Sequence, residues 1–226
     1  MNKRYLLFDI DGTLVNTGGA GMRAMKAAIE KHLGDGNLLK DYSFAGRTDS
    51  QIFNDMVRKA GIQKDKVPET AGRLELAYIT NLESTLKQAE NFRLYPHVRE
   101  VLDACRKSNA FDLALLTGNI REGAKLKLTH ADLWKYFGWG VFGNISEDRI
   151  HLAKEACRII TRKAGNINRK DIIIIGDTEN DIRCGQAIAA TTIAFAAGFE
   201  PEGKLRRKNP DFIINDFKEL YSLLEL

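Results

Sequence analysis

The stretch Phe8-Asp9-Ile10-Asp11-Gly12-Thr13 sets two carboxylates one residue apart at the end of the apolar run Tyr5-Leu6-Leu7. In an extended strand alternate side chains share a face, so Asp9 and Asp11 are expected on one side, repelling each other. Such a pair needs a cation or a shared proton. Three more polar stretches follow apolar runs: Thr117-Gly118-Asn119, Glu147-Asp148-Arg149, and Gly176-Asp177-Thr178-Glu179-Asn180-Asp181. Carboxylates gathered at one place favour a hard divalent cation, and Mg²⁺ accepts carboxylate and carbonyl oxygens together with substrate phosphate. Thr117 and the amides of Gly118 and Asn119 offer donors to an anion, although the triplet alone also reads as a plain turn. Helix capping explains Asp177 or Thr178 singly, but not Asp9 and Asp11 together.

The elements that must position these groups are legible as apolar runs. Arg4–Ile10, Leu113–Leu116, Trp139–Phe142, Asp171–Ile175, Thr192–Ala196 and Asp211–Ile214 read as strands, mostly continuous rather than alternating, as strands covered on both faces are. Between them lie helical patterns over Val98–Lys107, Glu122–Ala131, Ile150–Arg162, Asn180–Ala190 and Asp216–Leu224. Strand alternating with helix predicts an α/β fold with a doubly wound parallel sheet, and ligands in such sheets bind outside the carboxyl ends of the strands. One block breaks the alternation. From about Gly19 to Phe92 only amphipathic stretches appear, Met22–Leu33, Asp49–Ala60 and Pro68–Ala89, with Thr48 or Asp49 able to cap the second. This predicts an inserted all-helical cap over 18–92, with the core formed by 1–17 and 93–226.

Asp9-x-Asp11-x-Thr13, Thr117 and Gly176-Asp177-x-x-x-Asp181 together resemble the haloacid dehalogenase (HAD) superfamily, in its phosphoglycolate-phosphatase-like branch, and the helical insertion is similar to that branch's small cap. The resemblance implies a Rossmann-like core and a Mg²⁺-dependent phosphomonoester hydrolase acting on a small acidic phosphorylated metabolite. Asp9 would be the nucleophile forming an aspartyl-phosphate, and Asp11 would protonate the leaving alcohol and later deprotonate water. Asp9, the backbone carbonyl of Asp11, and Asp177 would hold Mg²⁺, with Asp181 a direct or water-mediated partner. Thr117 and the amide of Gly118 or Asn119 would hold phosphate oxygens. The family usually carries a lysine before a proline in its third motif. Here the stretch is Ser146-Glu147-Asp148-Arg149-Ile150-His151, so Arg149 is assigned the phosphate-neutralising role, with Lys154 the alternative. Ala45-Gly46-Arg47-Thr48-Asp49 resembles the cap loop facing the active site. Arg47 would there bind a second acidic group, or stand as a surface arginine. Gly18-Gly19-Ala20-Gly21 reads as a hinge at the first cap crossing.

Composition narrows the alternatives. The chain has 226 residues, 44% of them hydrophobic, enough for a sizeable core, and a formal net charge of +4. No apolar run is long enough to cross a bilayer, and Met1-Asn2-Lys3-Arg4 leads into a strand rather than a signal sequence, so a cytoplasmic protein without membrane attachment is expected. Three widely spaced cysteines, Cys105, Cys157 and Cys184, suit buried free thiols. The basic cluster Lys204-Leu205-Arg206-Arg207-Lys208 lacks interleaved aromatics, so it reads as a solvated loop and not a nucleic-acid platform. Gly19-Ala20-Gly21-Met22-Arg23-Ala24 matches a dinucleotide fingerprint but does not directly follow the first strand. A receiver domain shares the acidic cluster and a threonine but has no helical insertion. Within the superfamily, phosphomutase and phosphonate-cleaving activity are the competitors; the latter needs a cap lysine such as Lys26, Lys31 or Lys59. Oligomeric state is not read from these features.

Overall fold

The computed structural model describes residues 3–226. Its centre is a six-stranded parallel sheet of β1 (Arg4–Phe8), β4 (Phe111–Leu116), β5 (Trp139–Val141), β6 (Ile172–Gly176), β7 (Thr191–Phe195) and β8 (Phe212–Ile214), in the order β5-β4-β1-β6-β7-β8. Alternation of side chains along β1 divides the core. Leu6 and Phe8 pack with Val101 and Leu102 of α4 (Val98–Ser108) and Leu128 of α5 (Arg121–His130), together with Leu220 and Leu224 of the terminal helix α9 (Leu220–Leu224). Tyr5 and Leu7 face the other way, onto Leu152 and Ala156 of α6 (Arg149–Ala164) and Cys184 of α7 (Glu179–Ala187). A sheet covered on both faces accounts for its unbroken apolar runs; Ile172 to Ile175 are all buried.

The first strand ends two residues earlier than the sequence predicts. The Asp9 N–H still bonds to the Ile175 carbonyl at 3.0 Å, but the Ile10 carbonyl then accepts from Leu14 and Val15, winding the chain into a turn. Gly12 lies in that turn at φ +81, and a Cβ there would stand 2.2 Å from Asp177 Oδ2. Asp9 and Asp11 consequently lie past the end of the strand, and both line one cavity. The turn sends them to different partners.

Two short strands carry the chain into and out of the helical insertion. β2 (Val15–Asn16) and β3 (Arg93–Leu94) pair antiparallel, Val15 with Leu94 and Asn16 with Arg93. At this length neither carries a periodicity, which is why the sequence does not show them. Between them α1 (Ala20–Leu33), α2 (Asp49–Lys59) and α3 (Val67–Lys87) bury their own core, including Met25, Ile29, Phe53, Met56, Leu74 and Tyr78, with Ile120 of the sheet-bearing part joining it. Thr48 rather than Asp49 caps α2, its Oγ1 accepting from Gln51 N–H at 3.1 Å. The cap is closed on the core: Asp49 N–H donates to the Gly118 carbonyl at 2.8 Å, Asn180 to the Gly46 carbonyl at 2.8 Å, and Asn54 to Glu147 at 2.8 Å.

The basic cluster is not a loop. It belongs largely to α8 (Glu202–Arg206), where Leu205 is buried and Lys204 and Arg206 pair with Glu200 and Glu202 four residues earlier. The three cysteines are free and buried. Among the described residues no helix is long and apolar enough to cross a membrane.

Candidate active site

Asp9 leaves the end of β1 and meets Asp177, at the end of β6, and Asp181, in the first turn of α7. One carboxylate oxygen of each lies within 4.8 Å of the others, and all three residues are buried. Each is placed by local structure. Asp181 forms a capping box with Thr178, accepting from its N–H at 3.0 Å and from its Oγ1 at 2.6 Å. Asp177 accepts from Thr13 Oγ1 at 3.1 Å and Phe199 N–H at 2.7 Å. Asp9 is the least satisfied: its Oδ1 is buried with no hydrogen-bond partner.

Arg149 opens α6 and reaches into this cluster, buried at 7% exposure. It pairs with Asp181 and stands 3.8 Å from Asp9 Oδ2, while Lys154 lies exposed farther along the helix. Burial opposes the charge on Arg149, but Asp181 and Asp9 outweigh it and raise its pKa further. Burial pushes the Asp9 carboxyl up to about 7 against the pull of Arg149, with Asp181 adding to the rise. Asp177 is driven well above the usual carboxylate range by burial, then by Asp181 and Asp9. Three carboxylates with one guanidinium leave a deficit of positive charge, and a divalent cation fits it. The unpartnered Asp9 oxygen is the clearest sign. Asp177 and Asp181 each have both oxygens already accepting from the protein, Asp181 through its ion pair with Arg149 as well as from Thr178.

Asp11 faces the same cavity but has different partners. Its Oδ2 accepts from Lys127 Nζ at 2.6 Å and from Asn119 Nδ2 at 2.8 Å, and Lys127 also donates to Asn119 Oδ1. The Thr117 hydroxyl accepts from Asn119, at 3.2 Å from the backbone N–H and 2.9 Å from Nδ2, so the loop after β4 is held as one unit. Lys127 is buried at 4% exposure. Burial works against its ammonium, but Asp11, Tyr78 and Asp49 outweigh it and keep it charged. Sequence reasoning did not single out this residue. The signal was present: Lys127 shares a helical stripe with the buried Ala124, Leu128 and Ala131, where a solvated lysine has no place. Asp49, read as a possible helix cap and as the end of the cap loop facing the site, also belongs here. Its Oδ2 accepts from Ile120 N–H at 2.9 Å, and burial pushes its carboxyl up to about 6 despite Lys127 and that hydrogen bond.

Between these groups and the cap lies a cavity of about 390 Å³, with Asp9, Asp11, Asn119, Lys127 and Arg149 toward the core. Gly118 joins it where a Cβ would stand 2.2 Å from the Arg47 carbonyl, so only glycine lets the cap loop rest on the loop after β4. Arg47 lines the cavity, but its guanidinium is engaged elsewhere, with Asp55 at 3.3 Å, the Ser43 carbonyl at 2.8 Å and the Tyr42 ring beneath it. Lys26, Lys31 and Lys59 are exposed and line no part of the cavity, which removes the basis for a cap Schiff base. Gly19 caps α1 and Gly21 faces Lys127, so the glycines of the dinucleotide-like match start a cap helix rather than a sheet crossover. A larger cleft of about 750 Å³, between α2, α3 and Glu147, does not reach the carboxylates.

The comparisons with known proteins agree with this architecture. The chain is 24% identical to a pyrophosphatase PpaX of Oceanobacillus iheyensis, an alignment covering 99% of this chain and 98% of that protein. It is also 24% identical to a phosphoglycolate phosphatase of Haemophilus influenzae, covering 99% and 100%. In fold it is similar to a predicted phosphatase of Clostridium acetobutylicum, with a TM-score of 0.73 and 24% identity over the full length of both chains. A hydrolase from Pseudomonas syringae superposes with a TM-score of 0.71 at 20% identity, over 99% of this chain and 98% of that one. The model of the haloacid dehalogenase-like hydrolase family matches residues 6–195, and the chain belongs to that family.

Proposed function

We propose that this hydrolase is a phosphomonoester phosphatase in which Asp9 attacks phosphorus and becomes transiently phosphorylated. The observation that carries this reading is the unpartnered Asp9 oxygen at the cavity floor, with Asp177 and Asp181 behind it and Arg149 beside it. As the Asp9–phosphorus bond forms, the bond to the leaving oxygen breaks, and Asp11, entering the step protonated, gives its proton to the departing alcohol and is left as a carboxylate. Water then attacks phosphorus, Asp11 takes its proton, and phosphate and the free Asp9 carboxylate result. Thr117, the amides of Gly118 and Asn119, and Arg149 hold the phosphoryl oxygens as charge develops on them.

Asp9, the Asp11 backbone carbonyl and Asp177 would hold Mg²⁺, with Asp181 acting through water. Bound there, Mg²⁺ neutralises phosphoryl charge and lets two anions approach each other. Lys127 keeps the Asp11 carboxylate in place for both proton transfers. The substrate in this reading is a small phosphorylated metabolite, which a cavity of about 390 Å³ supports. The relatives named above act, by their names, on pyrophosphate and phosphoglycolate.

Phosphate release from a panel of phosphomonoesters, with Mg²⁺ and after its removal by a chelator, tests this reading. Metal-dependent release is expected. Release that persists undiminished in the chelator, or none from any ester, rejects it.

A further inference from the structure

When a phosphoryl group sits against Asp9, the rest of the substrate must lie against the cap wall of the cavity. Met22 and Met25 of α1, Phe44 before α2 and Ile52 of α2 present apolar surface there, and Met22 is 56% exposed although nothing in the fold covers it. Thioether side chains adapt to the shape of what they meet. Each cation that lines the cavity, on the cap side or the core side, already has a carboxylate partner. Lys127 is held by Asp11 at 2.6 Å, Arg149 by Asp181, and Arg47 by Asp55 at 3.3 Å over the Tyr42 ring. At the leaving-group end a single ammonium, Lys127, stands among two carboxylates, Asp11 and Asp49. A carboxylate brought into this space loses its water, finds no unpaired cation and meets like charge.

Resting on the phosphatase reading, we infer that the leaving group is an uncharged alcohol with a hydrocarbon or aromatic face, and that the wall discriminates against carboxylate-bearing phosphomonoesters. Such exclusion is specificity by repulsion as much as by attraction. It departs from the acidic substrate that the family resemblance implies.

The wild-type protein with Mg²⁺ tests this on matched esters: benzyl phosphate against 4-carboxybenzyl phosphate, and 2-hydroxyethyl phosphate against phosphoglycolate. In the benzyl pair the carboxylate is remote from the breaking bond, so binding rather than leaving-group chemistry separates the two; in phosphoglycolate it is bonded to the carbon that bears the leaving oxygen, so that pair is read through KM alone. The uncharged member is expected to have a kcat/KM higher by on the order of tenfold, chiefly through KM. Met22→Lys should narrow that ratio by adding a cation to the wall. Equal or faster turnover of the carboxylated members overturns the inference and leaves the phosphatase reading standing. An unchanged ratio in Met22→Lys overturns the placement of the leaving group against α1. Phosphate release from none of the esters overturns both.

Discussion

Asp9 and Asp11 are separated by a single residue, yet their surroundings differ in kind. Around Asp9 the chain places two more buried carboxylates, one guanidinium and an oxygen with no partner. Around Asp11 it places a buried ammonium and an amide that between them satisfy the carboxylate and each other. The first region is short of positive charge and is completed only by something from outside the chain. The second is complete as folded. In the proposed mechanism the residue that binds a metal and attacks phosphorus benefits from an unmet need, and the one that hands over a proton benefits from fixed geometry.

The comparison is broken most directly at its two centres. Asp9→Asn should abolish turnover, a loss of at least about 10³-fold, because an amide is a poor nucleophile and a poor metal ligand. Without metal the same change relieves repulsion among buried carboxylates, so its melting temperature should not fall. Asp11→Asn should do the reverse to stability, stranding the Lys127 ammonium at a cost of about 1–3 kcal/mol. Calorimetry of both variants in chelator checks this, and the same sign for both would erase the distinction.

Among the described residues Arg149 is the one cation paired with the Asp9 cluster. Arg149→Ala is expected to cost about 2–4 kcal/mol in transition-state stabilisation, as when a preorganised donor to a developing oxyanion is lost. Lys154→Ala, on the exposed part of α6, should leave kinetics unchanged. Steady-state rates accompanied by melts decide between them, since Asp181 also loses its partner in the arginine variant. A silent Arg149→Ala with a crippled Lys154→Ala would transfer the role.

On the Asp11 side, Lys127→Met keeps the length and volume of the side chain and removes the charge. Turnover should fall about 10–100-fold on esters of poor leaving alcohols, and less on an activated aryl ester that needs no proton. That split separates positioning of Asp11 from general damage. Uniform loss across leaving groups would reduce Lys127 to a structural ion pair.

The same division explains what the sequence shows and what it hides. Strand runs, helix stripes and the polar residues at strand ends are local patterns, so the sheet, the helical insertion and the loop bearing each acidic residue are legible. Partners are not local. Asp11 and Lys127 are 116 residues apart, and only the fold reveals that one ammonium holds the other's carboxylate. The strand reading also runs two residues too far: the turn at Gly12 is closed by local bonds to the Ile10 carbonyl, while the close approach of Asp177 from β6 that leaves no room for a Cβ there is not local. Arg47 is visible as a cation near the site, while its pairing with Asp55 depends on how the cap loop folds back on α2.

Metal binding gives a smaller, pH-dependent effect. The Asp9 carboxyl is raised from 3.8 to about 7 in the folded protein, so the native state holds a proton that the unfolded chain has released. That contribution to metal-free stability is complete below about pH 4 and lost as the pH rises through about 7. Mg²⁺ competes with this proton, so the rise in melting temperature on adding it should be larger near pH 8 than near pH 5.5, by a few degrees. An equal rise at both values would mean that the ion binds without displacing protons from the cluster.

The smallest effect is expected at Arg47, and it bears most closely on the cap wall. Its contact with Asp55 is 3.3 Å long and about one-third exposed, and the Tyr42 ring lies 4.8 Å from its guanidinium. Exposed ion pairs and cation–π contacts of this kind each contribute about 0.5–1 kcal/mol. Arg47→Ala should therefore loosen the cap loop slightly and lower kcat/KM by less than about tenfold. The loss should be the same for benzyl phosphate and 4-carboxybenzyl phosphate, since a guanidinium bound to Asp55 holds neither leaving group. If instead the carboxylated ester loses far more, Arg47 must leave Asp55 to take the substrate's acid. In that case the cap wall supplies a cation after all, and the closed arrangement of Arg47 is the resting state of a binding residue.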